Sequence, residues 1–277
     1  MSFTEFFNQM LQNPMLFVST LLTLGVILVN GWTDAPNAIA TCVSTRAIGV
    51  RPAIIMAAIF NFFGVLIMTA LNASVAMTIY NMVDFGGDAR LSLIALCAAM
   101  AAIVIWATAA WYFGIPTSES HALIAGLSGA AVAIQNSFSS INGSEWIKVI
   151  YGILLSVGLG FLLGFLSSRL TVFLFRNQNR MKSERFFSGA QVAGGAAMAF
   201  MHGAQDGQKF MAIFLLGAAF ANGQAETSSF TVPIWLMVLC SLVMGLGTSI
   251  GGYRIIKSVG MEMVKLKPYQ GFAADFA

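Results

Sequence analysis

The sequence predicts an all-α polytopic membrane protein, an inverted repeat with broken helices, and three observations carry that expectation. Of its 277 residues, 58% are hydrophobic and only 9% charged, with a mean hydropathy of +0.81, far from the balance of a water-soluble domain. Apolar windows of about 20 residues recur, enough for helices to cross a hydrocarbon core of roughly 30 Å, and their continuity excludes the alternating strands of a β-barrel. Two similar polar runs, Gly31-Trp32-Thr33-Asp34 and Gly203-Ala204-Gln205-Asp206, interrupt two of these windows.

Seven segments are expected to cross the membrane: 14–46, 52–80, 90–112, 116–136, 147–174, 187–221 and 232–256. The N-terminus, MSFTEFFNQMLQNP, lacks the basic region of a cleavable signal, so the first segment stays as a span. The first and sixth segments run past 30 residues and carry the polar runs near their middles. Gly31 with Pro36, and Gly203 with Gly207, weaken helix continuity there, so both are expected to be broken helices. Before the fourth segment, Pro116 suits a helix start, and Ala125-Gly126-Leu127-Ser128-Gly129-Ala130-Ala131 offers small residues for close helix packing.

Charge sets the expected orientation. Arg46 and Arg51 flank one turn, Arg176, Arg180, Lys182 and Arg185 crowd another, and Lys257, Lys265 and Lys267 mark a third, whereas 84–88, 136–145 and 222–226 contain neither Lys nor Arg. Seven crossings put every basic turn on one side, which reads as the cytoplasm with the N-terminus outside. The two polar runs then have opposite orientation, the signature of an inverted repeat. Residues 1–175 are expected to form the first repeat, with about five membrane segments, 176–186 a basic cytoplasmic loop that orients the chain and contacts lipid, and 187–277 a second, incomplete repeat. By that count about three further spans are expected beyond Ala277.

The composition also excludes several functions. The net charge of +3 is carried by a few loops with no basic and aromatic interleaving, which sets nucleic acid aside. Cys42, Cys97 and Cys240 lie in apolar stretches without metal-ligand spacing and read as small buried hydrophobes, suggesting neither zinc nor a disulfide. No cofactor is expected.

An ionised carboxylate in an apolar segment costs several kcal/mol unless it is paired, hydrated or neutralised, so Asp34 and Asp206 at matching places point to an ion or solute pathway. Asp34, Asn37 and Thr41 share a helical face that can coordinate a hard cation or hydrogen-bond an oxyanion; the alternative is a polar patch that knits helices together. His202, Gln205, Asp206 and Lys209 form a denser cluster in which Asp206 and Lys209, three residues apart, can pair. Such a pair is either structural or a contact for a dianionic substrate. In the third element, Gly114 to Ala122, Thr117, Ser118 and Ser120 bring hydroxyls and free backbone N–H groups to a helix start, a cradle for an oxyanion or a simple cap. His121 reads equally as a packing residue or a ligand. An intramembrane hydrolase using Ser118 and His121 has no orienting acid or oxyanion hole that can be assigned.

Together these three elements resemble the inorganic phosphate transporter (PiT) family, with its duplicated GxNDxxNA-like signature and its Pro-x-Ser-x-x-His-Ala motif. The first signature falls on Gly31, Thr33, Asp34, Asn37 and Thr41, the second on Gly203, Gln205, Asp206 and Lys209, and the third motif on Pro116, Ser118, Ser120 and His121. The resemblance implies a secondary transporter in the cell membrane, not an enzyme: a symporter of inorganic phosphate coupled to sodium or protons, often a homodimer. It implies coupling-ion contacts at Asp34, Asn37, Thr33, Asp206 and Glu119, with Asp34, Asn37 and Asp206 holding sodium if sodium is the ion. Substrate contacts fall on Thr41, Thr117, Ser118, Ser120, Gln205 and Lys209.

Four positions depart from the family pattern. Thr33 and Gln205 replace the usual Asn before each Asp, Lys209 replaces an Asn, and Glu119 replaces a typical Thr. A Glu can carry a proton and a Lys can stand in for a cation, so these changes leave sodium and proton coupling both open. A second Pro-x-Ser-x-x-His element would follow Ala277 by about 20 to 30 residues. Sulfate permeases of the same fold, and a non-transporting assembly subunit or sensor, are the neighbouring alternatives.

Overall fold

The computed structural model describes residues 2–71, 74–223, 232–257 and 266–277. An amphipathic helix, α1 (Phe3–Gln12), is capped by Ser2 and Glu5, each side chain bonding the other's backbone N–H. It lies ahead of the first expected span and was not assigned from sequence. Asn13 caps the next helix, α2 (Pro14–Thr33).

The first break is real and has a local cause. Pro36 has no N–H to donate and its ring crowds the carbonyl of residue 32, so the α-helix stops at Thr33. A short 3-10 helix, Ala35–Ile39, follows before α3 (Ala40–Ser44) resumes. The second segment divides into α4 (Val50–Leu71) and α5 (Ser74–Tyr80). Beyond lie α6 (Ala89–Phe113), α7 (Glu119–Gln135), α8 (Gly143–Phe175), α9 (Arg180–Ala221), α10 (Ile234–Ile255) and α11 (Pro268–Phe276).

Among the described residues five stretches are long and apolar enough to span a membrane: Pro14–Ser44, Val50–Leu71, Ala89–Phe113, Gly143–Phe175 and Ile234–Ile255. The fourth expected span, α7, is shorter at 17 residues, and the sixth, α9, is more polar.

Two expectations need correction. The sixth segment is not broken: α9 is one α-helix of 42 residues. It contains no proline, and its glycines serve close packing. A methyl group on Gly203 would strike the carbonyl of Asn61, and one on Gly207 would strike Val65, so α4 packs where side chains would hold it off. The basic stretch 176–186 is likewise mostly helix, because Asn179 caps α9 and Arg180, Lys182 and Arg185 ride on its first turns.

The core is a bundle of α2, α4, α9 and α10. Helices α2 and α9 run antiparallel: Ser19 meets Gly217, Asn30 meets Asp206, and Cys42 meets Gln191. Two glycine crossings share one register. At the α2–α10 crossing, Gly31 faces the carbonyl of Met244 and Gly247 faces that of Leu28; at the α9–α4 crossing, Gly203 faces that of Asn61 and Gly64 that of Phe200. In each pair the contacted carbonyl lies three residues before the opposing glycine.

The loops sort by charge. The segments around 81–88 and 136–142 join through Asp84 N–H to Ser140 O (2.8 Å) and Asn142 N–H to Met82 O (3.1 Å). Phe85 stacks edge-on with Phe220, and Asn222 reaches Gln9, which brings α1 and the end of α9 to the same side. At the other end Thr45 donates to Gln191, Gln191 donates to Pro268 O, and Phe186 meets Phe272, gathering the turns that carry Arg46, Arg176 and Lys267. Lys265 and residues 224–226 lie outside the described residues. Helix α8 stands at the periphery with its apolar surface largely uncovered by the rest of the chain.

Gln178 and Gly223 flank α9, which at 1.5 Å per residue is about 63 Å long. Cysteines introduced at these positions should react with an impermeant thiol reagent from opposite sides of the membrane; reaction of both from one side would make α9 a re-entrant element. Gly31→Ala and Gly203→Ala should each lower stability by about 1 to 3 kcal/mol through overpacking against backbone, read as earlier heat-induced loss of the monodisperse protein in detergent. Gly129→Ala, where an added methyl meets nothing within 4 Å, should leave it unchanged or raise it.

Candidate functional site: a buried carboxylate and ammonium centre

The site forms where the break after α2, the middle of α9 and the start of α7 meet. Gly114, in the left-handed conformation (φ 69°), ends α6. The chain then runs extended through Pro116, and the helix begins at Glu119 with Ser118 as its cap, not at the proline. This opens the first turn of α7 toward Asp34, whose Oδ2 accepts the Glu119 backbone N–H at 3.1 Å. A helix N-terminus thus faces a carboxylate, an arrangement favoured by its free N–H groups and its dipole.

The two aspartates sit together but are served differently. Both oxygens of Asp206 are occupied, Oδ1 by Lys209 Nζ at 2.5 Å and Oδ2 by Asn30 Nδ2 at 2.8 Å. Asp34 accepts the Glu119 N–H and a long contact of 3.5 Å from the same Asn30 amide, all on Oδ2. Its Oδ1 is buried without a partner, as are Asn30 Oδ1 and Glu119 Oε2. Thr33 donates to Glu119 Oε1 at 3.0 Å, fixing the orientation of that buried carboxyl.

Lys209 also reaches Ser120 Oγ at 2.5 Å, tying α9 to α7. His202 Nδ1 lies 2.8 Å from Asn61 Oδ1, and Asn61 in turn donates to Thr248 at 3.4 Å. That orientation gives His202 Nδ1 the proton and turns Nε2 toward Asp206 Oδ2, 3.5 Å away. Ligand atoms of Asp34, His202 and Asp206 all lie within 4.8 Å of one another.

A cleft of about 470 Å³ opens over this centre, lined by Asp34, Asn37, Thr117, Ser118, Ser120, Gln205 and Lys209, among others. Nine of the residues singled out from sequence therefore meet in one place, Asp206 and His202 included. Thr33 and Glu119 stand behind Asp34 as its supporting pair. Thr41 does not line this cleft: it donates to Asp275 Oδ1 at 2.6 Å on the far side of the break. Glu119 and Lys209 are not partners, since Glu119 bonds Thr33 and Lys209 bonds Asp206 and Ser120. His121 lines a separate surface pocket with Trp106. Asn30 and Asn61 were given no role from sequence, and His202 was placed in the second cluster without one; Asn30 and His202 stand at matching positions, each four residues before its aspartate.

This is a multi-pass helical membrane protein with a buried carboxylate and ammonium centre beneath a polar cleft. Residues 30–277 match the phosphate transporter family, and the chain belongs to it. It is 38% identical over 247 residues to a probable low-affinity inorganic phosphate transporter of Bacillus subtilis (strain 168), covering 89% of this chain and 72% of that protein. Identity is 32% over 266 residues with a probable low-affinity inorganic phosphate transporter of Mycobacterium tuberculosis (strain ATCC 25618 / H37Rv), with coverage of 96% and 62%. With the low-affinity inorganic phosphate transporter PitA of Escherichia coli (strain K12) it is 32% over 228 residues, with coverage of 71% and 45%. The chain thus spans less than two thirds of the latter two relatives. Among solved structures, a sodium-dependent phosphate transporter shares the fold at a TM-score of 0.82 and 18% identity, over 95% of this chain and 82% of that one.

Removing one member of a buried ion pair leaves the other uncompensated, so Asp206→Asn should cost about 3 to 5 kcal/mol of stability. Asp206→Asn combined with Lys209→Met should recover most of that loss, whereas Asp34→Asn should fold normally because no protein cation depends on it. Thermal unfolding of the purified variants checks the order; equal stability of Asp206→Asn and wild type would contradict it.

Proposed function

We propose that the protein moves inorganic phosphate across the cell membrane by symport with sodium. Family membership supports the substrate, and the observation that carries the mechanism is a cleft whose lining joins oxyanion donors with Asp34, one of whose buried oxygens has no partner. On the donor side stand Lys209, the Gln205 amide and the hydroxyls of Thr117, Ser118 and Ser120. Ser118 and Ser120 accept bonds from His121 N–H and Lys209, which leaves their own protons free for a ligand oxygen. Below, Asp34 Oδ1, Asn30 Oδ1 and Glu119 Oε2 are hard oxygen donors of the kind an alkali cation takes. Asn37 lines the cleft within reach of the same region.

Phosphate suits this cleft better than sulfate because its hydrogen phosphate form can donate a proton to a carboxylate or amide oxygen, whereas sulfate at neutral pH can only accept. The antiparallel course of α2 and α9 and the shared register of their glycine crossings support an inverted-repeat reading, with the site at the repeat interface. In the proposed orientation the basic turns face the cytoplasm and the N-terminus lies outside. The homodimer implied by the resemblance belongs to the same proposal, with α8 as the helix left uncovered within one chain.

The purified protein in liposomes should accumulate labelled phosphate when sodium is high outside, and Asp34→Asn should lose accumulation while remaining folded. Equal phosphate accumulation when choline replaces sodium at the same pH would refute sodium coupling. Accumulation of sulfate in preference to phosphate would refute the substrate.

A further inference from the structure

The two halves of the site are not chemically equivalent, although their sequences keep one register. Asp34 and Asp206 are 172 residues apart, and so are Asn30 and His202, and Asn37 and Lys209. Where the first motif has a neutral amide three residues after its aspartate, the second has an ammonium. Its Nζ contacts Asp206 Oδ1 directly and is only partly exposed, with 15% of the side chain accessible and 8% of the Asp206 side chain. With Asn30 on Oδ2, each oxygen of Asp206 already accepts a protein donor, one of them charged. Asp34 keeps an unpartnered Oδ1 beside two other unpartnered buried oxygens, from Asn30 and Glu119.

We propose that Lys209 is a built-in cation that permanently fills the Asp206 half of the site, so that the transport cycle carries one mobile cation, at Asp34, where a symmetric pair of carboxylates would carry two. The inference rests on the sodium symport reading above and sets its stoichiometry. Three physical facts support it. Two buried carboxylates without counter-charge would repel each other and pay twice for desolvation, and a tethered ammonium removes one of these costs without any ion from solution. An ammonium held by a carboxylate and a hydroxyl has spent two of its three N–H bonds, on Asp206 and Ser120, and presents the third and its charge to the cleft. A sodium ion on Asp206 would have to sit within repulsive reach of that charge, which disfavours it.

The test counts cations. Sodium-22 binding to the purified wild-type protein should saturate at one ion per chain, and the Hill slope for sodium in phosphate uptake should be about one. Lys209→Asn places in the second motif the residue type that the first has at Asn37; it should add a second sodium per chain and raise the slope toward two. An unchanged count and slope in Lys209→Asn, or two sodium ions bound by the wild type, would overturn the proposal. Should Lys209→Asn fold poorly, Asp206→Asn with Lys209→Met removes both charges and should retain the single sodium; loss of that sodium would locate the ion at Asp206 and overturn the proposal too. The outcomes separate the two claims. Sodium-dependent uptake with an unchanged count in Lys209→Asn would leave the symport reading intact and reject only the role of Lys209, whereas uptake by the wild type without sodium would reject both.

Discussion

The structure turns on the need to neutralise a carboxylate buried within a 42-residue helix of a membrane bundle. Asp206 cannot be left without donors in a medium where water does not supply them. Its donors are Lys209 from its own helix and Asn30 from α2, and Lys209 in turn donates to the Ser120 hydroxyl of α7. Satisfying one charge therefore fixes three helices relative to one another. The break after Thr33 belongs to the same requirement, since Asp34 caps the junction with its carboxylate turned to the N–H groups at the start of α7.

Close helix approach makes this geometry reachable. Helices in a bilayer gain little from hydrophobic burial against one another, and small residues allow the backbone contact that replaces it. Gly31 and Gly247 at one crossing, with Gly203 and Gly64 at the other, hold α2 to α10 and α9 to α4 at positions where a methyl group has no room. Each aspartate lies three residues beyond its crossing glycine, so the contacts that set helix separation also set the spacing of the carboxylates. A rigid pair on each side, meeting at a polar seam, is the kind of element that can rock as a body around a fixed site.

What could be read in the sequence was local. Pro36 ends a helix wherever it falls in the interior, so the first break was legible. Lys209 follows Asp206 by three residues on one helical face, so their pairing was legible as well. The supposed break at Gly203 failed because glycine in a helix is ambiguous: the residues that explain it, Asn61 and Val65, come from a distant segment. Thr41 was placed on the Asp34 face by regular helical spacing, but the 3-10 turn shifts the register and carries it to Asp275. Asn30 received no role from sequence, because its amide is important only once α9 lies beside it.

In the proposed mechanism the start of α7 links the two ligands that a symporter must couple. Its Glu119 N–H binds Asp34 from one side, while Ser118 and Ser120 line the cleft on the other. Unit charges about 5 Å apart attract by about 3 kcal/mol at an effective dielectric of 20, which sets the scale of coupling between a cation on Asp34 and an oxyanion on these hydroxyls. An attraction of that size makes either ligand bind on the order of a hundredfold more tightly when the other is present, and linkage requires the effect to be mutual. Without the cation, the carboxylate itself competes for the N–H groups of α7 and repels the incoming anion. In the proposed mechanism the same aspartate is the barrier to phosphate alone and the anchor for phosphate with its ion, which is the asymmetry that coupling requires.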